Sequence, residues 1–415
     1  MKGVLVILGG IGDLPSDQLK GKTPLEAAEK PAIDFLAKNG EIGYMYPIKE
    51  NISTESDTAT LSLLGNDPRI SLRGQLEALG AGIGAIRGDL ALRTNFATID
   101  NLEKGNVTDR RAGRTLTTSD AEILAKSINK QVKLPCKFFF KPTIQHRGIL
   151  ILKGGFSDNV SNTDPSYGEK GKFKPSDKLR FCQALDEKEN TEYTANIVNM
   201  FISQSFQVLD KHPVNEQRRK KGMLPANILL TRDAGVEIPK LKQMKKWAGI
   251  VYMPLEIGIA KAAGMDVLDF EYPAFKDYDV YKNLHAGLEK AAKFAKKMLK
   301  KKCRKYDYFY IHFKETDVPG HDNKPHEKVK MIEELDKLFF SYLSKLAIKH
   351  KAKVVVTGDH STPCKMKSHS GDPVPILVCD WHANQEIKFS EKEARKGRLG
   401  KIYGRELLDK IGFSR

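Results

Sequence analysis

The chain of 415 residues contains no run approaching 18 apolar residues, so a membrane-spanning helix is not expected. Its five cysteines (Cys136, Cys182, Cys303, Cys364 and Cys379) are scattered, odd in number and form no C-x-x-C pair. That usage points to a reducing, cytoplasmic compartment. Internal repeats and low-complexity linkers are absent. The opening stretch Met1–Gly10 has only a short apolar core, and Asp13 follows with no small-residue cleavage site. It reads as a first buried strand, not as a signal peptide. The formal net charge is +17, yet no aromatic-interleaved basic motif or nucleic-acid module accompanies it, so nucleic acid is not the expected partner.

Much of the positive charge lies between Lys290 and Lys305, where lysines alternate with apolar residues at helical spacing. A solvated helix face accounts for that run, and the remaining positive field suits small phosphorylated anions. At this length a single small core is too little, and two domains, or one with a large insertion, are expected. A composition 40% hydrophobic and 29% charged is that of a globular protein.

The pattern opens strand, helix, strand: Val4–Leu8, about Pro24–Asn39, then Ile42–Pro47. Thr23, Pro24 and Glu26 supply an N-cap, a first-turn proline and a capping-box partner. A short helical segment follows Ser56 and ends at Gly65. From about residue 71 glycines become dense and short strand-like runs alternate with charged turns, which reads as a compact α+β insertion. From about Asn190 helix and strand alternate again, with strands at Asn227–Leu230, Gly249–Met253, up to Phe313, Lys353–Val356 and Val374–Val378. Long helices are expected near Tyr281–Lys302 and His326–His350. The alternation implies a mainly parallel sheet covered by helices, with its crevice beyond the carboxyl ends of the strands.

Two clusters fall in that crevice. Asp317 and His321 follow the run Tyr308–Phe313, with Pro319-Gly320 between them, which implies a tight turn instead of a helix. Asp359 and His360 follow Val354–Val356, and His369 lies on the next loop. Carboxylate and imidazole together favour a Mn, Zn, Co or Mg ion, and five such groups exceed one tetrahedral site, so a two-metal centre is expected. Ser56, just before an apolar helical segment, reads as an N-cap, as a nucleophile at a helix N-terminus, or as both. Asp109-Arg110-Arg111-Ala112-Gly113-Arg114 sets three arginines on a glycine-containing turn suited to phosphate and carboxylate. His146-Arg147 and Arg73 are weaker candidates of that type.

These segments together resemble the archaeal type of 2,3-bisphosphoglycerate-independent phosphoglycerate mutase, of the alkaline phosphatase superfamily. The resemblance runs nearly end to end. It is carried by Lys22-Thr23-Pro24-Leu25-Glu26-Ala27-Ala28, Ser56-Asp57-Thr58-Ala59, Leu64-Gly65-Asn66-Asp67-Pro68, Arg93 to Thr98, Asp109 to Arg114, Lys314 to Asp322 and Thr357 to Pro375. It implies an alkaline-phosphatase-like α/β fold, with a catalytic domain split between residues 1–70 and 186–415 and an inserted substrate-binding α+β domain at 71–185. It implies interconversion of 3-phosphoglycerate and 2-phosphoglycerate through phosphorylated Ser56, without 2,3-bisphosphoglycerate and with two divalent ions. One ion would be held by Asp317, His321 and His369, the other by Asp359, His360 and Ser56. Asp109, Arg110, Arg111, Arg114, Arg147 and Lys314 would bind the phosphoglycerate. Asn66 stands where the family usually has Tyr, and one further departure matters more: the family's Leu-Asp-Gly after the first strand is Leu8-Gly9-Gly10 here, which removes a carboxylate from the metal site beside Ser56. Asp13 is matched by an Asp of the family in its own right, so it is no obvious replacement. A phosphatase or phosphotransferase of the same superfamily, or a catalytically impaired relative, are the other readings.

Overall fold

The computed structural model describes residues 1–70, 73–167, 178–273, 279–384 and 386–414. The chain forms two compact units, one of Met1–Ser71, Lys240–Pro273 and Tyr281–Arg415, the other of Leu72–Pro239 and Ala274–Val280.

The first unit is built on an eight-stranded mixed sheet. Its strand order is Gly400–Tyr403, Gly40–Tyr46, Val374–Cys379, Lys353–Thr357, Gly3–Leu8, Tyr308–Phe313, Trp247–Ile250 and Asp266–Leu268. Only Val374–Cys379 runs against its neighbours, and the other pairings are parallel. The central strand, Gly-Val-Leu-Val-Ile-Leu, is buried along its whole length, as a strand covered on both faces must be. Its two neighbours lie in parallel register, Ile7 beside His312 on one side and beside Thr357 on the other. Three adjacent strands therefore release their chains at one edge, into Gly9-Gly10, Lys314–Asp317 and Gly358–His360.

The capping box at Thr23 forms as the sequence implies: Thr23 Oγ1 accepts from the Glu26 N–H, and Glu26 accepts from the Thr23 N–H. The single helix expected over Pro24–Asn39 is two, Pro24–Ala27 and Pro31–Lys38. Pro31 lacks a donor and disfavours helical backbone at Lys30, so it starts a new helix instead of continuing one. The expected long helices are present as Val280–Lys302 and as Pro325–Leu335, continued through the π turn Asp336–Phe340 into Ser341–His350. In Val280–Lys302 the buried residues Leu284, Leu288, Ala291, Ala295 and Leu299 recur at helical spacing, which leaves the lysines outward.

The second unit is built on a five-stranded antiparallel sheet in which Leu90–Ile99 pairs with Arg147–Leu152, with Ile228–Gly235 and, at its last residues, with Val107–Asp109, while Phe138–Pro142 lies beyond Arg147–Leu152. Helices Thr118–Gln131 and Glu189–Asp210 contribute Leu124, Ile128, Phe201 and Ile202 to one core with Phe96, Phe140 and Leu150. The smaller cluster of Ala78, Ala91, Ile149 and Ile151 brings in helix Arg73–Gly80. The unit extends past the boundary near residue 185 that the sequence pattern implies. Ile228–Gly235 hydrogen-bonds to Leu90–Ile99, and Glu189–Asp210 buries its apolar stripe in that core, so both belong to this unit.

Candidate active site

In the first unit the strand-end loops bring the expected metal ligands together. The donor atoms of Asp317, His360 and His369 all lie within 4.8 Å of one another. His321 Nε2 stands 3.4 Å from Asp317 Oδ2. Where Pro319-Gly320 implies a turn, Asp317–His321 is one turn of α-helix, which sets Asp317 and His321 four residues apart on one face. Pro319 lies in the first turn, where a missing N–H costs nothing. Gly10 is required beside this cluster. Its φ is +59°, and a Cβ there would come within 2.5 Å of Asp317 Oδ1 and 2.6 Å of Thr362 Oγ1.

The outer hydrogen bonds fix the imidazoles. Thr362 Oγ1 donates to Asp317 Oδ1 at 2.7 Å, so it accepts from His360 Nδ1 at 3.0 Å. His369 Nδ1 donates to the Thr54 carbonyl at 2.8 Å, and His321 Nδ1 to the Lys367 carbonyl at 3.2 Å. Each ring thus has Nδ1 as a donor and turns Nε2 to the cluster; the neutral ring, with Nε2 bare, is the form that binds a metal. Burial drives the His360 pKa down to about 3, against the pull of Asp359, so its ring is neutral. Burial also opposes ionisation of Asp317, but the neighbouring histidines, His321 foremost, outweigh it and hold the carboxyl well below its usual range. One carboxylate and bare imidazole nitrogens fit a divalent ion.

Ser56 opens the eight-residue helix Ser56–Leu63, with Glu55 as the N-cap residue. Its hydroxyl lies 3.2 Å from His360 Nε2 and accepts from Lys314 Nζ at 3.0 Å. The same ammonium donates to Asp359 Oδ2 at 2.8 Å and lies 3.4 Å from Glu256 Oε1. Asp359 Oδ1 accepts from the N–H groups of Gly10 and His360. Burial disfavours the Lys314 charge, but Asp359, Glu256 and Asp317 override it and raise its pKa above the ordinary lysine range. Asp359 is itself buried, and the charges about it, Lys314 included, keep it ionised.

The residues therefore divide differently from the two expected sets. His360 shares the Asp317 and His369 cluster, and the Asp359–Ser56 side holds the Lys314 ammonium. The donors fit one divalent ion. They do not fit a second in this arrangement, because Gly9 offers no ligand and Asp359 Oδ2 is taken by Lys314. Asp13 is no substitute. It is buried with Lys328 Nζ at 2.8 Å from Oδ2, while Oδ1 accepts from the N–H groups of Leu14 and Cys364.

The second unit carries the expected anion-binding residues. Arg147 begins its strand opposite Asn95, and Arg93 pairs in register with Arg232. Arg93 Nε lies 2.8 Å and Arg73 Nε 3.1 Å from Glu77 Oε1. Burial and then Arg93 depress the Arg147 pKa to about 10, with Arg73 and Arg232 adding to the repulsion. Burial, then Arg147, Arg111, Arg114 and Arg93, press the His146 pKa well down; among the described residues its Nδ1 has no hydrogen-bond partner. Asp233 Oδ2 lies 3.7 Å from Arg93 Nη1 and 3.5 Å from Arg232 Nε, and guanidinium groups gathered in this way suit an anion. Arg110 is matched instead by Asp164, with Nε 2.8 Å from Oδ1, and Arg232 joins the same carboxylate at 3.1 Å. Asp109 Oδ1 accepts from the N–H groups of Arg111 and Gly113 and so shapes the loop. Arg93, Arg232 and Glu77 enter no sequence motif of charge: strand register sets Arg93 beside Arg232, and helix Arg73–Gly80 brings Glu77 to Arg93.

A family model described as 2,3-bisphosphoglycerate-independent phosphoglycerate mutase matches residues 37–215. The chain is 42% identical over 420 residues to the 2,3-bisphosphoglycerate-independent phosphoglycerate mutase of Pyrococcus furiosus, spanning 98% of this chain and 95% of that one. Its counterpart from Aeropyrum pernix is 38% identical over 425 residues, spanning 97% of each. Among solved structures, the PH0037 protein of Pyrococcus horikoshii aligns with a TM-score of 0.74 at 32% identity, over 100% of this chain and 98% of that one. The cofactor-independent phosphoglycerate mutase of Thermoplasma acidophilum aligns with a TM-score of 0.58 at 30% identity, over 99% of each chain. With identity at this level along nearly the whole length, the chain belongs to the family of 2,3-bisphosphoglycerate-independent phosphoglycerate mutases, which are isomerases.

Proposed function

We propose that the chain interconverts 3-phosphoglycerate and 2-phosphoglycerate through a phosphoserine at Ser56, a step of glycolysis and gluconeogenesis in the cytoplasm. The observation that carries this reading is the Ser56 hydroxyl itself. It stands at a helix N-terminus, accepts from the Lys314 ammonium, and faces the bare Nε2 of His360 beside the Asp317–His369 cluster. Asp317, His360 and His369, with His321 beside them, are the residues to hold a divalent ion of the Mn, Co, Zn or Mg kind. Such an ion supplies Lewis acidity toward phosphoryl oxygens.

In the forward direction the Ser56 Oγ–P bond forms as the bond from phosphorus to the 3-oxygen of glycerate breaks, and the serine proton ends on that 3-oxygen. On return the 2-oxygen of glycerate takes the phosphorus, and its proton goes back to Ser56. Substrate phosphate is the only phosphoryl source, so 2,3-bisphosphoglycerate has no part. Arg147, Arg93, Arg111 and Arg114 supply the charge to grip carboxylate and phosphate. The test is an assay on 3-phosphoglycerate with parent and Ser56→Ala. The parent is expected to yield 2-phosphoglycerate with little free phosphate, and Ser56→Ala to yield neither. Release of free phosphate as the main product would replace this reading with hydrolysis.

A further inference from the structure

We infer that the Lys314 ammonium is the second cation of this centre, so that the chain takes one divalent ion and not two. The inference rests on Ser56 as the phosphoryl acceptor and concerns what holds its oxygen.

An ammonium has three N–H donors, and Lys314 Nζ has three oxygens about it: Asp359 Oδ2 at 2.8 Å, Ser56 Oγ at 3.0 Å and Glu256 Oε1 at 3.4 Å. Asp359 is fully buried and Glu256 nearly so, and two buried carboxylates at such range need a cation. A metal held by Asp359 and Ser56 would need to stand about 2.0–2.2 Å from each oxygen. The ammonium occupies that same volume and opposes a second positive charge there.

The backbone around Lys314 is set for this task. The Lys314 N–H donates to the Tyr252 hydroxyl and to Glu315 Oε2, both at 3.1 Å. Tyr252 and Tyr272 in turn donate to the buried Glu315 carboxylate at 2.6 and 2.8 Å. Gly9 completes the arrangement. A Cβ at position 9 would meet Lys314 Cα and the Phe313 carbonyl at 3.2 Å and Lys314 Cδ at 3.5 Å. A side chain there would run along the lysine stem, so glycine at 9 and the inward lysine are compatible partners. His312 stands beside Asp359. Its Nε2 lies 3.4 Å from Asp359 Oδ2 and, among the described residues, has no hydrogen-bond partner, while Tyr310 holds Nδ1 at 2.9 Å.

In the reaction, the ammonium stays on the serine oxygen while the Oγ–P bond forms and breaks, with the atom balance given above. It supplies fixed positive charge where the seryl oxygen gains and loses negative charge.

The test counts metal. The parent chain is loaded with excess Mn²⁺ or Zn²⁺, dialysed against metal-free buffer and analysed by inductively coupled plasma mass spectrometry. One ion per chain is expected, falling to none in Asp317→Asn. Two tightly held ions per chain in the parent would overturn the inference without touching the role of Ser56. Lys314→Met is expected to keep one ion and to lose roughly 10²–10³-fold in kcat, the usual cost of removing a fixed charge from a reacting oxygen. Turnover of Lys314→Met equal to the parent would also overturn it. The double variant Gly9→Asp with Lys314→Met, which restores a carboxylate and removes the ammonium, is expected to take a second ion. Failure of the Ser56 reading shows separately, as mutase activity surviving Ser56→Ala.

Discussion

Thr362→Val isolates the contribution of one hydroxyl to the metal cluster. Thr362 is fully buried, and valine keeps its shape while deleting Oγ1. That oxygen donates to Asp317 Oδ1 at 2.7 Å and accepts from His360 Nδ1 at 3.0 Å. The variant leaves a buried N–H and a buried carboxylate oxygen each short of a partner, at about 1–3 kcal/mol apiece. It also frees His360 to move its proton to Nε2, which removes the lone pair facing the cluster. Loss of such an outer partner weakens metal binding roughly 10–100-fold. That range corresponds to about 1.4–2.8 kcal/mol. Calorimetric titration of metal-free protein with Mn²⁺ reads the change directly. A Kd equal to that of the parent would refute both the tautomer assignment and the place of His360 in the cluster.

Three further outcomes follow from buried charge. Lys328→Met strips the buried Asp13 carboxylate of its ammonium, for an expected loss of about 3–5 kcal/mol in urea unfolding, and adding Asp13→Asn should recover much of it. Burial raises the Glu391 pKa to about 7, above its ordinary 4.5, so its contribution is complete below pH 4.5 and lost as pH rises through 7. The Tm of Glu391→Gln should accordingly fall less between pH 5 and 8 than that of the parent. Arg147→Met removes a charged donor from the arginine cluster, and the KM for 3-phosphoglycerate should rise roughly 10–100-fold, the worth of a hydrogen bond to a charged group.

The parts of this fold legible in the sequence are those with strong local causes. Gly3–Leu8 shows itself as an unbroken apolar run and Tyr308–Phe313 as an aromatic-rich one interrupted by His312, and Thr23 and Glu26 announce a helix start by their own hydrogen bonds. The clusters after those strands follow from the same logic, since parallel strands release their loops at one edge. What escaped depends on register and long range. Arg93 and Arg232 meet only because Leu90–Ile99 and Ile228–Gly235 pair. The inserted unit claims Glu189–Asp210 through core contacts that no local pattern reveals. Asp317–His321 is helical although Pro319-Gly320 argues otherwise, because a single turn needs no N–H from its first residues. The inward course of Lys314 depends on Tyr252, Glu315 and Gly9 together, from three separate parts of the chain.

The central claim is that the phosphoryl group rests on Ser56 between leaving one oxygen and joining the other. Rapid mixing of metal-loaded protein with 3-phosphoglycerate, acid quench and peptide mass spectrometry would find it. The account requires phosphate on the peptide containing Ser56, absent in Ser56→Ala. An actively turning-over enzyme whose Ser56 peptide stays unmodified at every quench time, or a Ser56→Ala variant that still makes 2-phosphoglycerate, would contradict it.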